Sequence, residues 1–268
     1  MAEMEHYPNF QKDNYIHPKA AWDKLRMAGA RRQNVYLYAA TGYGKTELLH
    51  RYLRRRRHIW LSGEGLTVET LQEIALPAEA TMVIDDLARV LDPAVRREIV
   101  SMLDQPGLWL VLAGRCPLPS WLTGPYVNGR LSVIPEEDLR LSEKEIAQLY
   151  LSWGVQLPRN LLEKRIPLVE GNPLGARLLA VEMSRGSSYT EELMNDLTRK
   201  FYEYLNQAIY SEWPEEIREM MMQLSLLEHF TIQQAEEMVQ IDEQVGRHFG
   251  VFEPSGKKLP QQREGPAL

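Results

Sequence analysis

The sequence has very little cysteine: one residue, Cys116, in 268. A lone thiol excludes an internal disulfide, and with it the small secreted scaffolds that disulfides hold together. Long apolar runs are missing as well, and no stretch approaches the roughly 18 uninterrupted apolar residues that a transmembrane helix needs. Met1 to His17 is polar and lacks the apolar centre of a secretory signal, so the expectation is a cytoplasmic chain with no membrane role. Positive charge is not in excess. The formal net charge is −6, which leaves no global field for phosphate backbones, and any nucleic-acid contact needs a local patch. His6, His17, His50, His58, His229 and His248 are scattered and, like Cys116, show no metal-ligand spacing. No Ser/His/Asp or Cys/His nucleophile set stands out, and no internal repeat is visible.

What the chain does have is enough apolar material for a core. At 44% hydrophobic and 25% charged residues it can bury an α/β domain of about 150 residues and a smaller helical domain. His17-Pro18 leads into a helical pattern with Trp22 and Leu25 on one side. From residue 34 short apolar runs alternate with helical patterns, the rhythm of a parallel sheet with helices on both faces. The predicted strands are Val35 to Ala39, His58 to Ser62, Thr81 to Ile84, Leu108 to Ala113 and Leu131 to Ile134. Helices are predicted from Lys45 to about Arg56, from Thr67 to Ile74, and from Pro93 to Leu103 with Asp92 as N-cap. Beyond Ile134 the patterns are helical: Ser142 to Trp153 with a Ser142–Glu145 capping box, Pro158 to Val169, Pro173 to Met183 and Thr190 to Ala208. A further pair starts at Trp213-Pro214 and Thr231, with Met221, Leu224 and Leu227, and Ala235 and Met238, on apolar faces. Gly250 to Leu268 has no apolar period and reads as a disordered tail.

The run Ala39-Ala40-Thr41-Gly42-Tyr43-Gly44-Lys45-Thr46, followed by Glu47, matches the Walker A pattern, with Ala39 where the first glycine usually stands. Phosphate binding needs backbone N–H groups that wrap the anion, small residues where chain and ligand come close, and a helix N-terminus aimed at the charge. Gly42 and Gly44 supply the small residues. Lys45 supplies a cation for the β- and γ-phosphates, and the Thr46 hydroxyl suits a magnesium shell. Together these imply ATP or ADP with Mg2+ as cofactors.

Thr81-Met82-Val83-Ile84-Asp85-Asp86 is an apolar strand ending in two acids, the form of a Walker B segment. A carboxylate at the C-terminal end of a neighbouring parallel strand falls beside the phosphate loop, so Asp85 is the candidate metal-shell ligand and Asp86 the candidate to orient or deprotonate an attacking water. Motor ATPases usually carry glutamate there, and the shorter reach of Asp86 points to slow hydrolysis. The two acids also suit a cap on the turn before the next helix. Arg115, after the fourth strand, reads either as a sensor of the γ-phosphate or as a solvated arginine. Arg54 to Arg57, with Arg51 before it, lies at the end of the P-loop helix, where cations favour the dipole, and is not read as a nucleic-acid patch.

Glu170-Gly171-Asn172-Pro173-Leu174-Gly175-Ala176-Arg177-Leu178-Leu179-Ala180 resembles the Gly-x-Pro helix start of STAND ATPases, the signal-transducing switch class of P-loop proteins. With Gly42-Tyr43-Gly44-Lys45-Thr46, Ile84-Asp85-Asp86 and Leu139-Arg140-Leu141-Ser142 in the same order, residues 15 to 240 resemble the ATPase module of the maltose-regulon activator and other large LuxR-type regulators. The resemblance implies that Pro173 touches the adenine or ribose and that Ile16 and Pro18 cover the adenine. It also implies a clamp between an α/β and a helical domain, closed with ADP, opened to exchange by an effector, self-associating with ATP and reset by hydrolysis. Gly171 to Pro173 also suits an ordinary helix-initiating turn.

The organisation expected is an N-terminal segment over 1–17, a P-loop α/β domain over 18–136, a small helical domain with the Gly-x-Pro motif over 137–186, a helical, partly winged-helix-like region over 187–249 and a tail over 250–268. The family continues into a sensor and a DNA reader. Neither is visible here, so a partial or minimal form without direct DNA contact is expected. Three functions compete: a weakly hydrolysing switch ATPase of a transcription regulator, a turning-over P-loop ATPase or kinase, and an interaction module with a decayed nucleotide site.

Overall fold

The computed structural model describes residues 14–155, 171–187, 190–208, 210 and 213–225. The chain divides into two compact units, residues 1–201 and 202–268. In the first, the five expected strands form: β1 (Asn34–Tyr38), β2 (Ile59–Ser62), β3 (Ala80–Asp85), β4 (Leu108–Gly114) and β5 (Leu131–Ile134). All pair in parallel, in the order β2-β3-β4-β1-β5. Helices α1 (Lys19–Arg31), α2 (Lys45–Leu53), α3 (Val68–Glu73), α4 (Pro93–Met102), α5 (Ser120–Val127) and the one-turn α6 (Glu136–Leu139) connect or flank them. This is an α/β sheet with helices on both faces.

Strand alternation divides the apolar residues between the faces. Val35, Leu37, Val83, Trp109, Val111 and Ala113 pack with Leu25 of α1 and Leu48, Leu49 and Leu53 of α2. The intervening residues Tyr36, Met82, Ile84, Leu108, Leu110 and Leu112 pack on the other face with Val95 and Ile99 of α4 and Leu122 of α5. A strand buried on both faces is a continuous apolar run, which is why β4 reads Leu-Trp-Leu-Val-Leu-Ala-Gly and is buried throughout. At the start of β1 the buried Asn34 side chain donates to Leu103 O at 2.9 Å and accepts from Leu110 N–H at 2.9 Å, fixing β1 beside β4.

Several helix ends follow their caps. Asp92 accepts from Ala94 N–H at 2.7 Å ahead of Pro93, and Thr67 accepts from Thr70 N–H at 3.2 Å. The helix α2 is shorter than expected. It stops at Leu53, and Arg54 to Arg57 are exposed on the turn into β2, with the Arg56 guanidinium 5.0 Å from the Tyr52 ring centre. Four successive like charges gain more from solvent than from another helical turn.

Beyond the sheet, α7 (Glu143–Ser152) starts with the expected capping box. Ser142 N–H donates to Glu145 Oε2 at 2.6 Å, and Ser142 Oγ accepts from Glu145 N–H at 3.4 Å. Helix α8 (Pro173–Ser184) starts from Asn172, whose Oδ1 accepts from Leu174 N–H at 2.9 Å and Gly175 N–H at 3.1 Å. Helix α9 (Glu191–Ala208) follows. Leu141, Leu149, Tyr150, Ala176, Leu179, Ala180 and Leu197 form a separate helical core, with Ile16 packed against it.

In the second unit, α10 (Glu215–Leu224) follows Trp213-Pro214 and buries Ile217 and Leu224. The predicted helix Pro158 to Val169, Leu227 of the pattern from Trp213-Pro214, the pattern from Thr231 with Ala235 and Met238, and the segment Gly250 to Leu268 lie outside the described residues. Among the described residues no helix is long and apolar enough to cross a membrane.

Candidate functional site

The candidate site lies at the C-terminal ends of the strands, where β1 runs through a short loop into α2. Gly42 and Gly44 adopt φ values of +93° and +73°, a left-handed region that costs other L-residues strain. Gly44 caps α2, and its carbonyl accepts from Leu48 N–H at 2.8 Å. A Cβ added at Gly44 meets no atom within 4 Å, so this side of the loop faces open space. The helix that begins there aims its free N–H groups at the same space, the arrangement that binds anions.

Lys45 is 8% exposed, and its Nζ donates to Ala39 O at 2.7 Å and Ala40 O at 3.2 Å. Burial lowers its pKa, opposed by the nearby Asp85 carboxylate and reinforced by the Arg115 cation. An ammonium held by carbonyl oxygens alone is under-compensated, and a phosphate brought to it supplies the missing charge. The Thr41 hydroxyl is buried and has no hydrogen-bond partner among the described residues.

Thr46 Oγ1 donates to Asp85 Oδ2 at 2.7 Å. A hydroxyl and a carboxylate this close form a hard-oxygen pair of the type magnesium takes. The neighbouring-strand expectation needs correction: β4 lies between β1 and β3, so Asp85 comes from the second strand away. The contact still forms because Thr46 stands one helical step beyond the loop and reaches across the end of β4. Asp85 Oδ1 also accepts from Asp86 N–H at 2.8 Å, and Asp85 O accepts from Gly63 N–H at 2.7 Å, fixing the end of β3.

Asp86 adopts φ +51°, uncommon for a non-glycine residue, and Arg115 Nε lies 3.4 Å from its Oδ1. Arg115 leaves the intervening strand β4, and this position brings it to the acids. Both side chains are about a third exposed, at 33% and 40%, so the pair is a solvent-screened one. Glu47 makes an i,i+4 pair with Arg51 at 2.5 Å, and the Arg51 guanidinium lies 4.3 Å from the Tyr15 ring centre.

The motifs did not reveal Glu136, the first residue of α6 after β5. Its Oε2 accepts from Ala40 N–H at 3.0 Å, and it also bonds the Tyr43 hydroxyl and Arg140. Burial pushes its carboxyl up, but the Ala40, Tyr43 and Arg140 contacts outweigh burial and hold it below the usual carboxylate range. The only signal in the sequence was an acid pair, Glu136-Glu137, at the end of a strand.

The residues of the Gly-x-Pro segment reach the loop directly. Leu174 N–H donates to Gly42 O at 3.2 Å, and a Cβ on Gly42 would lie 3.2 Å from Leu174 Cδ2. Pro173 precedes Leu174 in the first turn of α8. Gly171, with φ +82°, accepts from Leu141 N–H at 2.8 Å. Ile16 packs against the helical core, whereas Pro18 is buried as the N-cap of α1 with its carbonyl accepting from Trp22 N–H at 3.0 Å. Among the described residues no hydrogen bond joins either of them to the loop.

No family model matches the sequence, and no curated protein does. Solved structures do. The Walker-type ATPase of Pyrococcus abyssi superposes with a TM-score of 0.58 at 12% identity, covering 92% of this chain and 91% of that one. The Thermotoga maritima RuvB Holliday junction branch migration motor superposes with a TM-score of 0.50 at 18% identity, covering 89% of this chain and 86% of that one. The chain has the fold of a P-loop ATPase. At these identities the likeness extends to the fold and stops there.

Proposed function

We propose that this chain is a nucleotide-dependent switch: it binds ATP and ADP with Mg2+, hydrolyses slowly, and passes the state of its phosphate loop to the helical segment. The observation that carries this reading is the hydrogen bond from Leu174 N–H to Gly42 O, which joins the loop to the start of α8. A loop that shifts on meeting phosphates pulls on that helix without any intermediary.

The donor set fits the ligand. Lys45 meets the β- and γ-phosphates, the loop N–H groups wrap the β-phosphate, and Thr46 and Asp85 hold the metal. Magnesium, when bound, neutralises charge on the phosphate oxygens. Asp86 orients water, and Arg115, now paired with Asp86, turns to a γ-phosphate when one is present. Pro173, adjacent to the Leu174 contact, lies against the base or sugar, with Ile16 and Pro18 on the far side.

By the resemblance of its ordered motifs, this switch is the STAND-type ATPase part of a LuxR-type transcription regulator, self-associating with ATP. Its Asp-Asp pair and loop–helix bond favour sensing nucleotide over consuming it. The test is to purify the chain, identify any retained nucleotide by chromatography after denaturation, and follow phosphate release from one equivalent of ATP. Retained ADP and a slow single turnover support the switch. Rapid steady-state release without a partner, or transfer to an acceptor, makes it a turning-over ATPase or kinase. A chain that neither retains nor binds nucleotide is an interaction module.

A further inference from the structure

A trans peptide places its carbonyl and its amide N–H on opposite edges of one plane, and no described peptide bond is cis. The Ala39–Ala40 peptide is gripped at both edges. On one, Ala39 O accepts from Lys45 Nζ at 2.7 Å; on the other, Ala40 N–H donates to Glu136 Oε2 at 3.0 Å. A cation and an anion thus sit at the two ends of one amide dipole, each at the end that suits its sign. A carboxylate accepting from an N–H polarises the amide and adds negative charge to its carbonyl oxygen, so the two bonds strengthen each other.

Glu136 is fixed well enough to do this. It begins α6 directly after β5, and β5 pairs with β1 on the side away from β4, so the carboxylate arrives level with the loop. Arg140 Nη2 lies 3.4 Å from its other oxygen, Oε1, and the Tyr43 hydroxyl is a further partner. No other described interaction of the Ala40 N–H competes for the peptide.

From this geometry we infer that Glu136 is a positioning residue for Lys45: acting through the Ala39–Ala40 peptide, it orients the nearer of the two carbonyls that hold the ammonium at the phosphate site before nucleotide arrives. Glu136 touches no phosphate in this role. Its consequence for affinity rests on the nucleotide-binding reading above, but the placement of Lys45 does not.

The experiment uses the full chain as wild type, Glu136→Ala, Glu136→Gln and Glu136→Asp, each checked for folding by circular dichroism. Trace acetic anhydride labelling without nucleotide, quantified by mass spectrometry at Lys45, reads the first consequence. Lys45 is protected in wild type, nearly so in E136Q, whose amide oxygen still accepts from Ala40, and labels about fivefold faster in E136A, where the charge-assisted bond is gone. E136D, which withdraws the carboxylate by one methylene, behaves as E136A does and serves if the alanine variant fails to fold.

Calorimetry with Mg·ADP reads the second consequence. E136A weakens binding about tenfold, E136Q restores it to within about threefold, and on a Lys45→Ala background E136A has no further effect. Equal Lys45 labelling in all variants overturns the inference, and so does an E136A loss that persists undiminished without Lys45. If wild type binds no nucleotide while Lys45 labelling still depends on Glu136, the positioning role stands and the nucleotide reading falls.

Discussion

The two flanks of β1 treat the phosphate loop differently. On the β5 side a single carboxylate, Glu136, accepts from the loop itself, through Ala40 N–H and the Tyr43 hydroxyl. On the β4 and β3 side the polar groups bond mainly to one another: Thr46 to Asp85 at 2.7 Å, and Arg115 to Asp86 at 3.4 Å. A group spent on backbone shapes the loop and stays where it is. Groups that satisfy each other can exchange that partner for a ligand at little net cost, since a hydrogen bond is replaced by another. On the proposed reading, the first flank sets geometry and the second carries the metal and phosphate chemistry.

That comparison breaks most visibly at Lys45, which stands between the flanks. Lys45→Ala is expected to weaken Mg·ADP binding about a hundredfold, near 2.7 kcal/mol, in a calorimetric titration; a change under about threefold would remove the lysine from the site. Asp85→Asn acts on the β3 side alone. It is expected to cost about tenfold in affinity for Mg·ATP and almost nothing for ATP in EDTA, because only the metal-dependent part of binding uses it. An equal loss in both conditions would make Asp85 a structural group.

Gly42→Ala tests the apex that neither flank reaches. With φ +93° and Leu174 3.2 Å from the added Cβ, it should lower unfolding free energy by about 1–2 kcal/mol in urea, whereas Gly44→Ala, with open space around its Cβ, is expected to lose only the smaller backbone part. Equal losses would deny the contact with α8. Asp86→Glu extends the carboxylate toward water and is expected to raise single-turnover hydrolysis about fivefold with ADP affinity unchanged.

The smallest effect is a pH dependence confined to the β5 flank. The folded pKa of Glu136 lies below its ordinary value of 4.5, so its stabilisation is fully present above that value and is lost as pH falls through the depressed folded one. The stability difference between wild type and Glu136→Gln should be constant above the ordinary value and shrink in acid. A difference that grows in acid contradicts the assignment of those hydrogen bonds.

The β4 and β3 flank was largely legible in the sequence because its chemistry is written in local runs. Gly42 and Gly44 mark backbone that must turn left-handed, and an apolar run ending in Asp85 and Asp86 marks a strand tip. Helix caps at Asp92 and Ser142 were equally local. The strand order was not, because parallel neighbours are paired by crossovers that leave no trace between adjacent residues, and β4 separates β1 from β3. Glu136 escaped for the same reason: an acid at the start of a helix is an ordinary sight, and only the β1–β5 pairing brings it to Ala40. Helix α5 also went unread, since Gly124 and Pro125 sit inside it and argue against a helix.

Amide hydrogen exchange with and without saturating Mg·ADP tests the switch most directly. The account predicts slowed exchange in the phosphate-loop peptide and, alongside it, a changed rate in the peptide that carries Leu174 and the first turn of α8. Slowing at the loop alone, with the Leu174 peptide exchanging as before, would show a nucleotide site that does not reach the helical segment and would contradict the account.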